Sequence, residues 1–262
     1  MKAYILENVT NMHVGSGDIN FGVVDNLVQK DPVTNLPVIH SSSLKGSFRE
    51  YFEEVLKDDD AIEYIFGQEN SSSSKQPGAY TFFEAKLLTR PVRSNVELFF
   101  NATSPAVIRE FLENCTIFGI NVPEREKLEK LSTTDIKKIT VFGNFDKVYI
   151  EDEEAEVVKD NFSSSLLDKN IVLYPDEEFK DLSLPFIARN KISKEGTSEN
   201  LWYEEVVPKY SKFYFFINPP VNRDDNVKKF DDVFEKIDLI QFGANKSIGY
   251  GYCILKEIKW TE

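Results

Sequence analysis

Hydrophobic positions along the chain keep two different periods, and the switches between them predict the elements. Residues 1–10 alternate apolar and polar as a strand does, with successive side chains on opposite faces. Leu44, Phe48, Phe52 and Val55 recur at helical spacing and predict a helix over about 43–57, with Ser42 or Ser43 placed to cap its start. Ser104-Pro105 opens a second helix, because Ser accepts from free N–H groups and Pro is favoured at the first helical position. Ile108, Phe111, Leu112 and Cys115 form its apolar stripe, and Gly119 ends it. Val227, Phe230, Phe234 and Ile237 predict a third helix over 226–237. Segments 36–39, 80–88, 96–102, 210–220, 239–243 and 252–260 read as strands, and 23–29 as extended chain leading to a turn at Asp31-Pro32 and Asn35. Residues 11–22 are a Gly-containing loop, and 67–78, with four consecutive Ser, read as a mobile loop. The middle, roughly 120–185, is charged and irregular, and its acidic run EDEEAE at 151–156 reads as a solvated loop. Helices and strands mixed with such uneven loops predict an α+β fold, not a regular parallel βαβ series.

Charge and cysteine usage narrow the class. The chain carries 31 Lys and Arg against 44 Asp and Glu, a net charge of -13, which argues against a free-standing nucleic-acid binder while permitting local basic contacts. Its two Cys, Cys115 and Cys253, and two His, His13 and His40, have no metal-ligand spacing. Both Cys fall in apolar patterns and read as small buried hydrophobes in a reducing compartment. The N-terminal stretch lacks the apolar run of a signal peptide, and the aromatic run 213–217 is too short to span a bilayer. The expected location is the cytoplasm, with no membrane contact.

Candidate chemistry concentrates in SSSLKGSFRE, residues 41–50. Lys45 in the first turn opposes the helix macrodipole, at a cost of roughly 0.3–1 kcal/mol. Gly46 inside the helix costs about 1 kcal/mol more against Ala. Two broken local rules suggest compensation by a ligand. A phosphate supplies it: free N–H groups, the hydroxyls of Ser42 and Ser43, the charges of Lys45 and Arg49, and a close approach at Gly46. The competing reading is a solvated Lys on an ordinary helix. His13, in a loop that is neither a Rossmann fingerprint nor a P-loop, is a candidate general acid or a base-contacting residue, or else a structural histidine. Asp25 is a candidate for holding a divalent ion or moving a proton, or else a turn former. Lys246, between the glycines of GANKSIGYG, sits where backbone N–H groups can meet phosphate, or in a tight strand connection.

Taken in order, HVGSG, GVVDNLVQKDPVTNLPVIHSSSLKGSFRE, IFG, PGAYTFFEAKLLTRPVRS, LWYEEVVP and FGANKSIGYG resemble the RAMP superfamily. Within it, GVVD, PVRS and LWYEE are similar to the backbone subunit of type III-B CRISPR effector complexes, the fourth Cmr subunit. The resemblance implies a ferredoxin-like, RRM-related core in a single domain over 1–262, with the loop near 67–78 inserted and a second insertion near 120–203 that includes a thumb-like hairpin near 183–203. It implies copies stacked in a filament along a guide RNA, beside other subunits of the complex. It also implies cleavage of complementary target RNA with a divalent metal, Mg or Mn, as cofactor. Asp25 matches the catalytic acid and metal-holding position, with His13 and Glu204 or Glu205 assisting. Ser42, Ser43, Lys45 and Arg49 match the stretch that holds the guide backbone, and Arg90, Arg93 and Lys246 are further RNA contacts. Two alternatives stay open: a filament subunit that binds without cutting, and a free-standing guide-processing endonuclease, which the acidic charge disfavours.

Overall fold

Strand Lys212–Asn218, KFYFFIN, is apolar at nearly every position, and a strand of that kind needs cover on both faces. The computed structural model describes residues 1–17, 24–68, 76–222 and 224–259 and supplies that cover. The chain runs β1 (Lys2–Asn8), β2 (Val38–Ile39), α1 (Ser41–Leu56), α2 (Asp59–Phe66), β3 (Thr81–Phe82), β4 (Ala85–Val92), β5 (Phe100–Thr103) and α3 (Pro105–Ile117). It continues through α4 (Arg125–Ser132), β6 (Thr140–Phe142), β7 (Val148–Ile150), β8 (Glu153–Val158), β9 (Ile171–Leu173) and α5 (Asp176–Asp181). It ends with β10 (Phe186–Ile192), β11 (Ser198–Glu205), β12 (Lys212–Asn218), α6 (Asp225–Phe234), β13 (Leu239–Gln241) and β14 (Tyr252–Glu257).

Among the described residues the main sheet has the order β13-β14-β1-β12-β4-β5-β9-β6-β8-β7, with β2 also on β4 and β3 on β12. β1 lies antiparallel between β12 and β14, and β12 antiparallel to β4. Alternate side chains of β12 meet different layers. Phe215 stacks on Tyr4 and packs against Phe48 of α1, whereas Tyr214 meets Phe111 of α3 edge-on and Phe216 meets Phe118. Phe48 also touches Phe82, Phe234 and Phe242, and Phe52 touches Phe66 and Phe230, so α1, α2 and α6 share one aromatic layer. β10 and β11 form a separate two-stranded hairpin.

The helices stand close to their expected places, with corrections that have local causes. α3 begins as expected: Ser104 accepts from Val107 N at 3.4 Å, Pro105 opens the helix, and Gly119 follows with φ +66°. α1 begins two residues early. Its cap is His40, with no side-chain capping bond, so Ser42 and Ser43 lie inside the first turn. Val55, expected on the buried face, is half exposed in the last turn. The strand expected at 96–102 begins only at Phe100. α2 was absent from the hydrophobic pattern but has a clear start, since Asp58 accepts from Ala61 N at 3.1 Å. The middle is not irregular: its strands extend the sheet, and the acidic run enters β8, where Ala155 points inward between exposed glutamates. Lys212, buried in β12, ties this region to the core through the carbonyl of Leu166 and the carboxylate of Asp168. Cys115 and Cys253 are free and buried, and burial pushes the Cys115 thiol up to about 12. Residues 69–75 of the expected mobile loop, residues 18–23 and Trp260 lie outside the described residues. No helix among the described residues is long and apolar enough to cross a membrane.

Truncating Phe48 to Ala should cost about 3–5 kcal/mol in a urea melt, while Val55→Ala on the same helix should stay within about 0.5 kcal/mol.

Candidate RNA-binding and cleavage site

The segment 12–17, the segment 24–30, the base of the hairpin and the loop after β13 are tied together by backbone bonds. Ser16 N donates to Leu27 O and Gln29 N to Val14 O, both at 2.9 Å. Asp25 N and Asn26 N both donate to Tyr203 O, at 3.0 and 3.2 Å, and Glu205 N donates to Asn26 O at 2.9 Å. Ala244 N donates to His13 O at 2.9 Å. A Cβ on Gly243, whose φ is +80°, would stand 2.3 Å from that same carbonyl, so the closure requires glycine.

Asp25 is exposed on this frame. Its Oδ2 accepts from Tyr203 N at 2.7 Å, and its Oδ1 has no partner among the described residues. Gly22 and Val23 of the GVVD stretch lie outside the described residues. His13, Glu204 and Glu205 are brought together but buried. His13 Nδ1 lies 2.7 Å from the carbonyl of Glu205, which only accepts, so Nδ1 carries the proton. That leaves Nε2, 3.9 Å from Glu204 Oε1, as the acceptor nitrogen of the neutral ring. Glu204 accepts from Asn245 Nδ2 at 2.8 Å and from Arg189 Nε, and the Arg189 guanidinium lies 4.7 Å over the Tyr250 ring. Glu205 accepts from Val28 N at 3.2 Å and pairs with Lys30 at 2.8 Å. Asp25 is thus the exposed acid of the set, and the other three hold its surroundings.

The first turn of α1 has no acidic residue, and the N–H groups of Ser41, Ser42 and Ser43 have no backbone acceptor among the described residues. Ser42 is exposed, and Ser43 Oγ accepts from Gln29 Nε2 at 2.9 Å. Lys45 has no carboxylate partner among the described residues, and partial burial, then the Arg49 charge, hold its ammonium below the usual lysine range. A Cβ on the exposed Gly46 would meet nothing, so internal packing does not require that glycine.

The remaining candidates are engaged within the protein. Arg49 donates to Glu53 at 2.7 Å and to Gly67 O at 2.8 Å. Lys246 pairs with Glu50 across two exposed side chains. Arg93 is exposed and pairs with Glu151 at 2.7 Å. Arg90 is buried, and its two terminal nitrogens donate to Leu182 O and Ser183 O at 2.8 and 2.9 Å, an internal tie. Gln29, Arg189, Asn245 and Tyr250 were missed. Asn245 carried a signal, an Asn between glycines that adopts φ +66°, and Gln29 a weaker one, an amide on the inward side of an extended run.

Among the described residues no group of three or more His, Cys, Asp or Glu could hold a metal ion. A hard cation such as Mg or Mn keeps most of its waters and needs only one or two carboxylates beside substrate oxygens. The exposed Asp25 carboxylate, with one oxygen unpartnered among the described residues, suits that mode.

The RAMP superfamily pattern matches residues 5–254. The CRISPR system Cmr endoribonuclease Cmr4 of Pyrococcus furiosus is 33% identical over 98% of this chain and 97% of its own length. The Cms endoribonuclease Csm3 of Streptococcus thermophilus is 29% identical over 61% of this chain and 75% of its own. The crystal structure of oligomeric Cmr4 from Pyrococcus furiosus superposes with a TM-score of 0.69 at 25% identity, each chain covered in full. A chain of the type III-B Cmr-beta complex bound to cognate target RNA superposes at 0.82, with 98% of this chain and 96% of that one covered, and at 17% identity this likeness is one of fold.

Gly243→Ala should cost about 1–3 kcal/mol through backbone strain and contact with His13 O. The expected readouts are a lower urea midpoint and faster amide exchange at Ala244.

Proposed function

This chain belongs to the RAMP superfamily, in the branch that includes Cmr4, and from that premise we propose that it is a guide-RNA-binding backbone subunit of a type III-B CRISPR effector that cuts complementary target RNA. The observation that carries the reading is the opening turn of α1: an exposed Ser42, no acid in the turn and, among the described residues, N–H groups without acceptors and a Lys45 without a carboxylate partner. Such a turn accepts an anion, and a repeating phosphate backbone is the anion that a RAMP chain meets. Lys246 can join it, because an exposed pair with Glu50 is worth at most about 1 kcal/mol and yields readily to a phosphate.

The strand order β14-β1-β12-β4, all antiparallel, with α1 following β1 and α6 following β12, supports a ferredoxin-like, RRM-related core in a single domain. The β10–β11 hairpin, with Phe186, Leu201 and Ile192 exposed, supports the reading of that segment as a thumb. Guide pairing supplies sequence recognition while the protein reads backbone and shape. Copies of the chain and the other subunits of the complex are its partners, which reconciles the -13 charge with a local cationic turn.

Single-stranded RNA brings its own nucleophile, the 2′-hydroxyl. The protein aligns that oxygen with phosphorus and the departing 5′-oxygen and assists proton transfer. Asp25 is the residue placed to touch the substrate, either taking the 2′-hydroxyl proton or holding a hydrated divalent ion. The chemistry such an ion supplies is charge neutralisation at the scissile phosphate. His13, Glu204 and Arg189 position this frame from within. Asp25 exposed with an open oxygen favours cutting over binding alone.

Asp25→Asn keeps an acceptor for Tyr203 N and should retain guide RNA while cleavage falls about 10²–10⁴-fold in a gel assay of labelled target. Products should end in a 2′,3′-cyclic phosphate, and a 2′-deoxy sugar at the scissile position should block the cut; normal cutting of that target rejects the mechanism. Lys45→Met should weaken RNA binding yet raise the melting temperature by about 1–3 °C. The sign follows from the lowered Lys45 pKa: folding disfavours its charged form, so at neutral pH the charge destabilises the fold and removing it relieves that cost.

A further inference from the structure

We propose that Gln29 is a positioning residue that turns the Ser43 hydroxyl outward, as a hydrogen-bond donor to a phosphate oxygen of bound RNA, and holds the His13 loop in register with it. The inference rests on the RNA-binding reading of the α1 start and goes one layer beneath it. Gln29 is buried, and all its polar groups are engaged. Its backbone N–H donates to Val14 O at 2.9 Å and its carbonyl accepts from Val38 N at 3.0 Å. Its side-chain Oε1 accepts from His40 N at 2.8 Å. Its Nε2 donates to Gly15 O at 3.1 Å and to Ser43 Oγ at 2.9 Å. One amide therefore joins the chain bearing His13, the residue that caps α1, and the first turn of α1.

Two of these partners fix which way the amide points. Turning it over would set Nε2 against the N–H of His40, two donors, and Oε1 against the carbonyl of Gly15, two acceptors. Nε2 therefore faces Ser43, and the Ser43 oxygen accepts. A hydroxyl has one hydrogen, and with its oxygen accepting from Gln29 that hydrogen points elsewhere; among the described residues it has no acceptor. The neighbours in the same turn also donate: the N–H groups of Ser41, Ser42 and Ser43, without acceptors among the described residues, and the Lys45 ammonium. The aimed hydroxyl, the N–H groups and the ammonium all donate, and the Ser41 and Ser42 hydroxyls can donate too, so a partner rich in acceptors satisfies the turn, which is the character of phosphate oxygens. The same Nε2 fixes Gly15 O, and a Cβ on Gly15 would lie 3.1 Å from His13 Nε2, so the grip that aims Ser43 also sets the chain against the His13 ring.

The test is a mutant cycle on the full chain, read by the anisotropy of a fluorescein-labelled single-stranded RNA, with thermal melts alongside. Gln29→Glu keeps the acceptor for His40 N but offers Ser43 an acceptor in place of a donor, so the hydroxyl turns inward. Affinity should fall about tenfold, the scale of one hydrogen bond to a charged group, and match Ser43→Ala. The double variant should bind no more weakly than either single. Gln29→Met, uncharged and of similar shape, should lose about threefold by freeing the hydroxyl to rotate, and Ser43→Thr should bind as the parent does. A loss in the double variant equal to the product of the singles would overturn the proposal, because a general structural role, or the added charge of Glu, persists when the hydroxyl is gone. Parent-like binding by Gln29→Glu would overturn it too. If Gln29→Glu does not fold, the Met variant decides: its loss must vanish in the Ser43→Ala background, and persistence sinks the idea. Parent-like binding by Ser43→Ala would also overturn it, since the hydroxyl would then make no contact with RNA; parent-like binding by Lys45→Met is a different failure, that of the reading on which this inference stands.

Discussion

A helix that buries one face in an aromatic layer cannot rotate, and the direction of its first N–H groups is then settled by the core. That is the constraint on which the rest depends. Leu44, Phe48 and Phe52 fix α1 against β12, α2 and α6, and the start of the helix is left without a side-chain cap. An uncapped start with no acid in its first turn is unfavourable for an isolated helix. It persists here because burial of three large apolar side chains, each worth roughly 1.5–3 kcal/mol, outweighs about 1 kcal/mol of missing cap. Function and stability therefore occupy the same helix, at different ends of its cross-section.

Acidity shapes what the cationic turn can do. Most cations near the site face a carboxylate: Lys246 has Glu50, Arg49 has Glu53, and Lys30 has Glu205. Lys45 does not, within the described residues. At physiological ionic strength an exposed charge is felt over roughly 8 Å, so a chain of strong net negative charge can still hold a local attraction for phosphate while repelling polyanions elsewhere. Single-sign patches would bind RNA indiscriminately; neutralising all but a few cations confines the contact.

Much of the fold was legible in the sequence where burial is one-sided or a cap is chemical. α3 announced itself through Ser104, Pro105 and Gly119, and α6 through the spacing of Val227, Phe230 and Phe234. The middle region was not legible. Its strands are short, three of them only three residues long, and β8 draws its inward residue from an acidic run, so cross-strand pairing with β6 and β7 supplies what local pattern lacks. In the site, Asp25, Lys45 and Gly46 stood out because each breaks a local rule or follows a marked stretch. The internal bonds of Arg90 could not be read from its sequence position, because a guanidinium can cap carbonyls inside a fold as readily as it can meet phosphate. Gln29, Arg189 and Tyr250 stayed hidden because their roles exist only once segments far apart in the chain are side by side.

The Asp25 carboxylate is tied to Tyr203, and Tyr203 belongs to β11. The backbone N–H of Asp25 and that of Asn26 both donate to Tyr203 O in the same strand. The acid is therefore mounted on the root of a two-stranded lever whose far end lies outside the main sheet. Whatever seats that lever also sets the angle of the carboxylate.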